Sequence, residues 1–514
     1  MILYHAISVY QVLTFIVHKI KYNYDKNCVL MLANWSISNL PQYMELKKYF
    51  NNLIVIKDNF SLVQGEYPDS NTKLCESTLK QAGYEINDFD EINVGACHYA
   101  FGAYLVNEKI PFIFWEDGSG CMFNNKESVK CADRSANGEE KVKWCDKMGL
   151  YDGNNPCIIK RIGNLNVAKN CPIPENAKHF DVIEEYLNLP IDVRKEIRSF
   201  FTDVEDIELP ESSILFLTQH LASLKIMSME DQILIYQIVV DYFFENENIV
   251  FKPHPSDILY YGLLFPESEI IREKFPSEFL PEIFINKPKT IATLSSTSID
   301  NLTAYFDDCF SLGNRFVQDF KYIHRYYAAV HLTEYFESVS GIKFIGAMKS
   351  VINNMLYKNK NISQNGTEVH IVDDIKEQEK FTRESIIDLL ENISESSAVI
   401  FINSRQDFCF YDIKHKSLWE HIVPICINKR QCSDEEFYAD TEEEVIYFYS
   451  KNERMIKLAE DFNYNKKLEH TGLEVFVETL TPEQKRIKVL EGILAATEER
   501  LLYYIEKYES PDNN

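Results

Sequence analysis

The first 120 residues alternate short, β-rich apolar runs with stretches whose apolar residues recur at helical spacing, and this rhythm constrains the fold more than any other feature. Runs at 2–7, 28–33, 53–57, 91–96 and 111–115 read as strands, and 9–21, 41–52 and 99–109 read as helices. Near-continuous Val, Ile and Leu implies burial on both faces of a strand, and the intervening helices supply the cover. A parallel, Rossmann-like sheet is the expected result.

A second alternating block begins near Ser213. Strands are predicted at 214–217, 249–252, 282–285, 290–294 and 310–312. A helix is predicted from the capping sequence Ser228-Met-Glu-Asp231 to about 245, with Ile233, Tyr236, Val240 and Phe244 on one face. Two short helices split at Pro190 lie between the blocks. The expected domains are 1–177, Rossmann-like and carrying an acidic motif; a helical linker at 178–212; a second Rossmann-like domain at 213–344; and an additional C-terminal α/β region at 345–514 of unassigned role. In that last region 368–372 and 398–402 read as strands around a helix at 383–393. The acidic run at 433–444 reads as solvated surface. A final amphipathic helix starts at Thr481, and its stripe, which includes Leu494 and Leu501, packs on its own domain or on a second copy in a homodimer. Residues 119–175 lack periodicity, as a lid or binding loop would.

Composition narrows the partners. A formal net charge of −26 over 514 residues argues against nucleic acid, whose phosphates would be repelled. A local cluster of cations and helix N-termini can still receive an anionic small molecule. The apolar opening has no basic segment before it, and His5, Gln11 and His18 interrupt it, so a first strand and helix are expected there and not a signal peptide or a membrane span. Twelve cysteines without any CxxC pair fit free thiols in a reducing cytoplasm.

Three motifs sit where apolar runs end, the position at which doubly wound sheets bind ligands. In Trp115-Glu116-Asp117-Gly118 two adjacent carboxylates follow an apolar strand, so repulsion and burial should raise one pKa and suit it to accept a proton. Gly118 lets the backbone approach a ligand. In Lys252-Pro-His254-Pro the flanking prolines stiffen an imidazole able to stabilise a departing phosphate, with Lys252 adding positive charge. Ser295, Ser296 and Thr297 precede a predicted helix at 299–306, whose N-terminus with its hydroxyls could cradle phosphate or carboxylate. Between the last two motifs, Glu278 could hold ribose hydroxyls. Asp88-Phe89-Asp90 has the DxD spacing of metal-dependent sugar transferases, yet it precedes a strand and reads as a surface turn, so no metal is expected.

These three motifs, in this order, resemble those of bacterial sialyltransferases of the lipooligosaccharide and polysialic-acid types; the start HAISVYQVLTFI and the stretch FLTQ at 216–219 look like the same family. The resemblance covers roughly residues 1–330. It implies a GT-B-like α/β fold, two Rossmann-like domains facing a cleft, with CMP-sialic acid as donor substrate, no cofactor, and a glycan acceptor. It also implies Glu116 as general base supported by Asp117, His254 acting on the departing phosphate, Ser295 and Ser296 on phosphate or donor carboxylate, and Glu278 on ribose. The expected location is cytoplasmic, with peripheral attachment at the inner face of the membrane left open. A CDP-polyol phosphotransferase of the teichoic-acid kind and a degenerate, non-catalytic scaffold are the alternatives.

Overall fold

The structure, a computed structural model, describes residues 1–60, 62–116, 138–150, 155–167, 173–204, 206–210, 212–244, 247–257, 259, 261–320, 323–336, 339–347, 351–353, 368–373, 383–402, 418, 421–426, 445–462, 494, 497 and 501. The chain divides into two compact units, Met1–Leu215 with Ile271–Ile291 and Ser296–Cys309, and Phe216–Ile270 with Ala292–Ser295 and Phe310–Asn514.

The first unit is built on seven parallel strands: β1 (Ile2–Ala6), β2 (Cys28–Ala33), β3 (Asn52–Ile56), β4 (Glu91–Val94), β5 (Phe112–Trp115), β6 (Ile158–Gly163) and β7 (Ala177–His179). Their order is β3-β2-β1-β4-β5-β6-β7. The chain therefore starts at the centre, winds to one edge and then jumps across β1 to β4. Between β1 and β4 lies the topological switch point. Helix α1 (Val9–Tyr22) starts at Ser8, whose side chain accepts from the Gln11 N–H, and packs Phe15 against Trp115 on one face. Helices α2 (Asp69–Gln81) and α3 (Ala100–Asn107) cover the other, where Leu79, Phe101 and Leu105 share a core with Leu3, Met31, Ile54 and Val94.

Residues 178–212, expected as a linker, pack within this first unit. The helices Val182–Leu187 and Ile191–Phe201 are tied down by the contacts Lys21–Glu185 and Arg194–Glu282 and by the hydroxyl of Tyr186 on Glu282.

A second sheet contains β8 (Ile214–Leu217), β9 (Ile249–Lys252), β10 (Glu269–Ile270), β11 (Thr290–Thr293) and β12 (Asp308–Ser311), in the order β10-β9-β8-β11-β12. Again the first strand is central. Its neighbours end beside it: the Thr218 N–H donates to the Lys252 carbonyl (3.2 Å) and Thr293 Oγ1 to the Leu217 carbonyl (3.0 Å). The C-terminal region forms a third sheet from β13 (Gly341–Ala347), β14 (Glu368–Asp373), β15 (Ser397–Phe401), β16 (Ile422–Cys426) and β17 (Val445–Ser450), in the order β14-β13-β15-β17-β16. Its β13, β14 and β15 are parallel, while β17 runs antiparallel to β15 and β16. Ile386 and Leu390 of the helix Arg383–Asn392 complete its core with Ile345, Val399, Phe401 and Tyr449. The class is α/β, as expected, with a first sheet that is parallel throughout.

Two expected elements need correction, and one helix went unpredicted. Residues 41–52 form no α-helix; 3₁₀ turns at Asn34–Asn39 and Tyr43–Lys48 lead into β3. The run 282–285 is not a strand, because Phe284 makes only an isolated bridge to Ile207 and Glu282 is engaged by Arg194 and Tyr186. Helix α2 escaped prediction because its buried stripe, Asn71, Cys75 and Leu79, is narrow and partly polar. The acidic run at 433–444 and the start of the final helix lie outside the described residues.

Candidate active site

In the first unit the polar residues gather at the carboxyl ends of β5, β6 and β7. Glu116 follows β5 and its N–H still donates to the Ile162 carbonyl of β6 (3.0 Å), so the strand ladder fixes its backbone. Its side chain is 3% exposed. Oε1 accepts from the Tyr10 hydroxyl (2.7 Å) and from the Asn164 N–H (3.1 Å). Oε2 is buried and has no hydrogen-bond partner among the described residues. Burial lifts the Glu116 pKa to about 7; the Tyr10 and Asn164 hydrogen bonds oppose the rise, and the Asp181 and Glu278 carboxyls add to it.

The neighbours of Glu116 are themselves held. Asn164, just past β6, donates through Nδ2 to Asp181 (3.1 Å) and to Asn301 Oδ1 (3.1 Å). Asp181 caps the helix Val182–Leu187, accepting from the N–H groups of Ile183 (2.9 Å) and Glu184 (3.2 Å), and burial raises its pKa. Asn301 belongs to the helix Ser298–Leu302 that follows the hydroxyl cluster. Glu278 is buried in a 3₁₀ turn, Ser277–Phe279, and its charge acts on both Tyr10 and Glu116. The tie among strand ends is Gln11. Its Oε1 accepts from the Ile7 N–H (2.8 Å), and its Nε2 donates to the carbonyls of Gly95 (2.5 Å) and Glu116 (3.3 Å), which joins the ends of β1, β4 and β5.

The second unit carries its own cluster at the ends of β8, β9 and β11. His254 Nδ1 accepts from the Ser256 N–H (3.1 Å), so the neutral ring carries its proton on Nε2. The His254 N–H donates to Thr218 Oγ1 (3.2 Å), which in turn donates to Asp257 (3.0 Å). Asp257 also receives Tyr261 (2.7 Å), Gln232 (3.1 Å) and the Leu259 N–H (3.2 Å), a fully buried anchor for the histidine loop. The ring of His220 stacks on His254 at 3.9 Å, and burial lowers the pKa of His220, so it does not repel a cationic neighbour. Lys252, the last residue of β9, is buried. Gln219 Oε1 accepts from both the N–H (2.9 Å) and the hydroxyl (3.0 Å) of Ser295.

The hydroxyl cluster differs from expectation. The helix beyond it ends at Leu302 instead of 306, so a long helix dipole does not stand behind Ser296 and Thr297. Ser296 Oγ accepts from the Ser298 N–H (3.3 Å), a local turn. Asp117 and Gly118 lie outside the described residues. Of the expected residues, Glu116 and Glu278 come together in the first unit, and His254, Lys252 and Ser295 lie on adjacent strand ends in the sheet of the second. Asp88 and Asp90 are spent elsewhere: Asp88 closes the turn with the Glu85 N–H (2.7 Å), and Asp90 pairs with the terminal amine (2.6 Å). Among the described residues no group of three or more His, Cys, Asp or Glu side chains could hold a metal ion, Cys157 is a free thiol, and no helix is long and apolar enough to cross a membrane. Tyr10, Asn164, Asp181, Asn301, Thr218, His220 and Asp257 went unpredicted. Two stretches had given a sign: FLTQ at 216–219, which contains Thr218 and marks the end of β8, and the start HAISVYQVLTFI, which contains Tyr10.

The profile of glycosyltransferase family 52 matches residues 25–305, more than half of the chain. The chain belongs to glycosyltransferase family 52. Its match takes in β2 to β11, and with them Glu116, His254 and the hydroxyl cluster. A relative of this family-52 chain is an uncharacterized protein of Haemophilus influenzae, 27% identical over 214 residues, 41% of this chain and 64% of that one. The chain thus spans just under two thirds of that relative. Among solved structures, the Methanocaldococcus jannaschii UDP-GlcNAc 2-epimerase in complex with UDP-GlcNAc and UDP is 19% identical, with 62% of this chain and 87% of that one covered at a TM-score of 0.37. The spinosyn forosaminyltransferase SpnP is 12% identical, with coverages of 74% and 98% and a TM-score of 0.34.

Proposed function

We propose that this chain transfers sialic acid from CMP-sialic acid to a hydroxyl of a glycan acceptor, with inversion, in the synthesis of a surface polysaccharide or lipooligosaccharide. The observation that carries this reading is the state of Glu116. Oε1 is fixed by two donors, Oε2 has none among the described residues, and burial lifts the carboxyl from its usual range to about 7. A carboxylate so held can take a proton in the transition state. Family membership and the order of the motifs support the choice of donor.

In the proposed step, the acceptor oxygen attacks the anomeric carbon of the sialyl group while Glu116 Oε2 takes its proton, and the bond from that carbon to the CMP phosphate oxygen breaks. The electron pair leaves with the phosphate. His254 donates a hydrogen bond from Nε2–H to that oxygen or, as the imidazolium, protonates it and ends neutral, and Lys252 adds positive charge. Ser295, Ser296 and Thr297 are assigned to donor phosphate or carboxylate, and Glu278 to ribose. Transfer needs no metal in this scheme.

The test is release of CMP from CMP-sialic acid with a galactoside or sialyl acceptor, with and without EDTA, in wild type, Glu116→Gln and His254→Ala. Activity should persist in EDTA and fall about 10²–10⁴-fold in each variant. Near-native rates in both folded variants would reject the roles, and turnover of CDP-glycerol in place of CMP-sialic acid would reject the donor.

A further inference from the structure

The second sheet has a switch point of its own. Its order β10-β9-β8-β11-β12 sends the chain from the central β8 out through β9 and β10 and then back across to β11, so the ligand position of an open α/β sheet falls between the carboxyl ends of β8 and β11. Gln219, two residues past β8, and Ser295, two residues past β11, meet there. Gln219 has no part in the transfer step as drawn. Its chain neighbours nonetheless hold His254: Thr218 Oγ1 accepts from the His254 N–H (3.2 Å), and the His220 ring stacks on the imidazole.

Gln219 is fixed at both ends. Its N–H donates to the Tyr236 hydroxyl (2.6 Å), and its carbonyl accepts from Gln232 Nε2 (3.1 Å) and from that same hydroxyl (3.2 Å). At the side chain, Oε1 accepts from the Ser295 N–H (2.9 Å) and from the Ser295 hydroxyl (3.0 Å). A backbone N–H can only donate, so the amide must turn its oxygen to Ser295 and its nitrogen away. Nε2 carries two N–H groups, finds no acceptor among the described residues and is not closed off from the surface. Gln219 and Ser295 are half-buried and His254 is exposed, so the cluster reaches the surface. The Ser295 hydroxyl has committed its proton to Gln219 and meets a ligand only as an acceptor. An anionic oxygen between β8 and β11 therefore finds its donors on Gln219, and Ser295 aims them. Hydrogen bonds to an ionised acceptor are about twice as strong as neutral ones. The phosphate is the group assigned above to His254 and Lys252, which follow and end β9, the strand adjoining β8.

We propose that Gln219 is a donor-binding residue whose Nε2–H groups hold the phosphate of the nucleotide, an inference resting on the transfer reading above. The test titrates the full chain with CMP, UMP and their nucleosides by NMR, beside steady-state transfer from CMP-sialic acid. Gln219→Met keeps the length of the side chain without its donors. Gln219→Glu keeps an acceptor for both Ser295 groups and sets an oxygen where the N–H groups stood. In both, the CMP Kd and the donor KM should rise about tenfold or more, with the cytidine Kd and the acceptor KM within about threefold of wild type. Gln219→Glu should also melt within about 3 °C of wild type, because the tie to Ser295 survives; a residue that only braced the strand ends would then leave CMP binding unchanged. Either variant, folded, that binds CMP within threefold of wild type overturns the contact, as does an equal loss of CMP and cytidine binding or a wild type that binds neither nucleotide. A wild type that binds UMP and not CMP, with UMP weakened tenfold in both variants, would instead overturn the transfer reading and leave the phosphate contact standing.

Discussion

Burial raises the Glu116 carboxyl from 4.5 to about 7, so below neutrality the folded protein holds a proton there that the unfolded chain releases. The sign follows: the stability associated with that proton is full below pH 4.5 and is lost as pH rises to about 7. At pH 8.5 the ionised, half-partnered carboxylate costs the fold about 3 kcal/mol. Glu116→Gln should therefore unfold at a higher temperature than wild type at pH 8.5, with the gap closing at pH 5, while transfer collapses. A variant that lost both activity and stability at pH 8.5 would make Glu116 a structural residue. The transfer rate of the wild type should rise with pH through about 7. Because the Tyr10 hydrogen bond opposes the upward shift, Tyr10→Phe should move that rise to higher pH, read from kcat/KM profiles.

Among the elements, the ends of β1, β4 and β5 depend on one amide side chain and one missing Cβ. A Cβ at position 95 would stand 2.1 Å from Gln11 Oε1 and 2.4 Å from its Nε2. Gln11 is fully buried and bonded on both ends, so it cannot swing away without freeing Gly95 and Glu116. Gly95→Ala should cost about 1–3 kcal/mol in urea unfolding and lower kcat. Adding Gln11→Ala removes the clash, so the double variant should lose less stability than the sum of the two single changes; strict additivity would refute the contact. Much of this level was legible in the sequence. Strands β2, β8 and β9 fall at the predicted residues because an unbroken apolar run is a local property. Helix α2 and the 3₁₀ turns before β3 were not legible, since a stripe of three residues and a three-residue repeat give weak periodic signals.

For the whole molecule, the net charge of −26 opposes the approach of the proposed donor, an anionic nucleotide sugar. Raising ionic strength from about 0.01 to 0.15 M shortens the screening length from about 30 to about 8 Å. Donor association, followed by stopped flow, should accelerate severalfold over that range. A slowing would mean that a local cationic field around Lys252 governs the encounter. The alternation of strand and helix, the α/β class and the three polar motifs at strand ends were determined by the sequence alone, because periodicity and apolar runs are written into neighbouring residues. Only the tertiary structure decided which groups surround Glu116. Tyr10, Asn164, Asp181 and Asn301 are separated by up to 291 positions and follow no period; they meet there because the order β3-β2-β1-β4-β5-β6-β7 sets the ends of β5, β6 and β7 side by side.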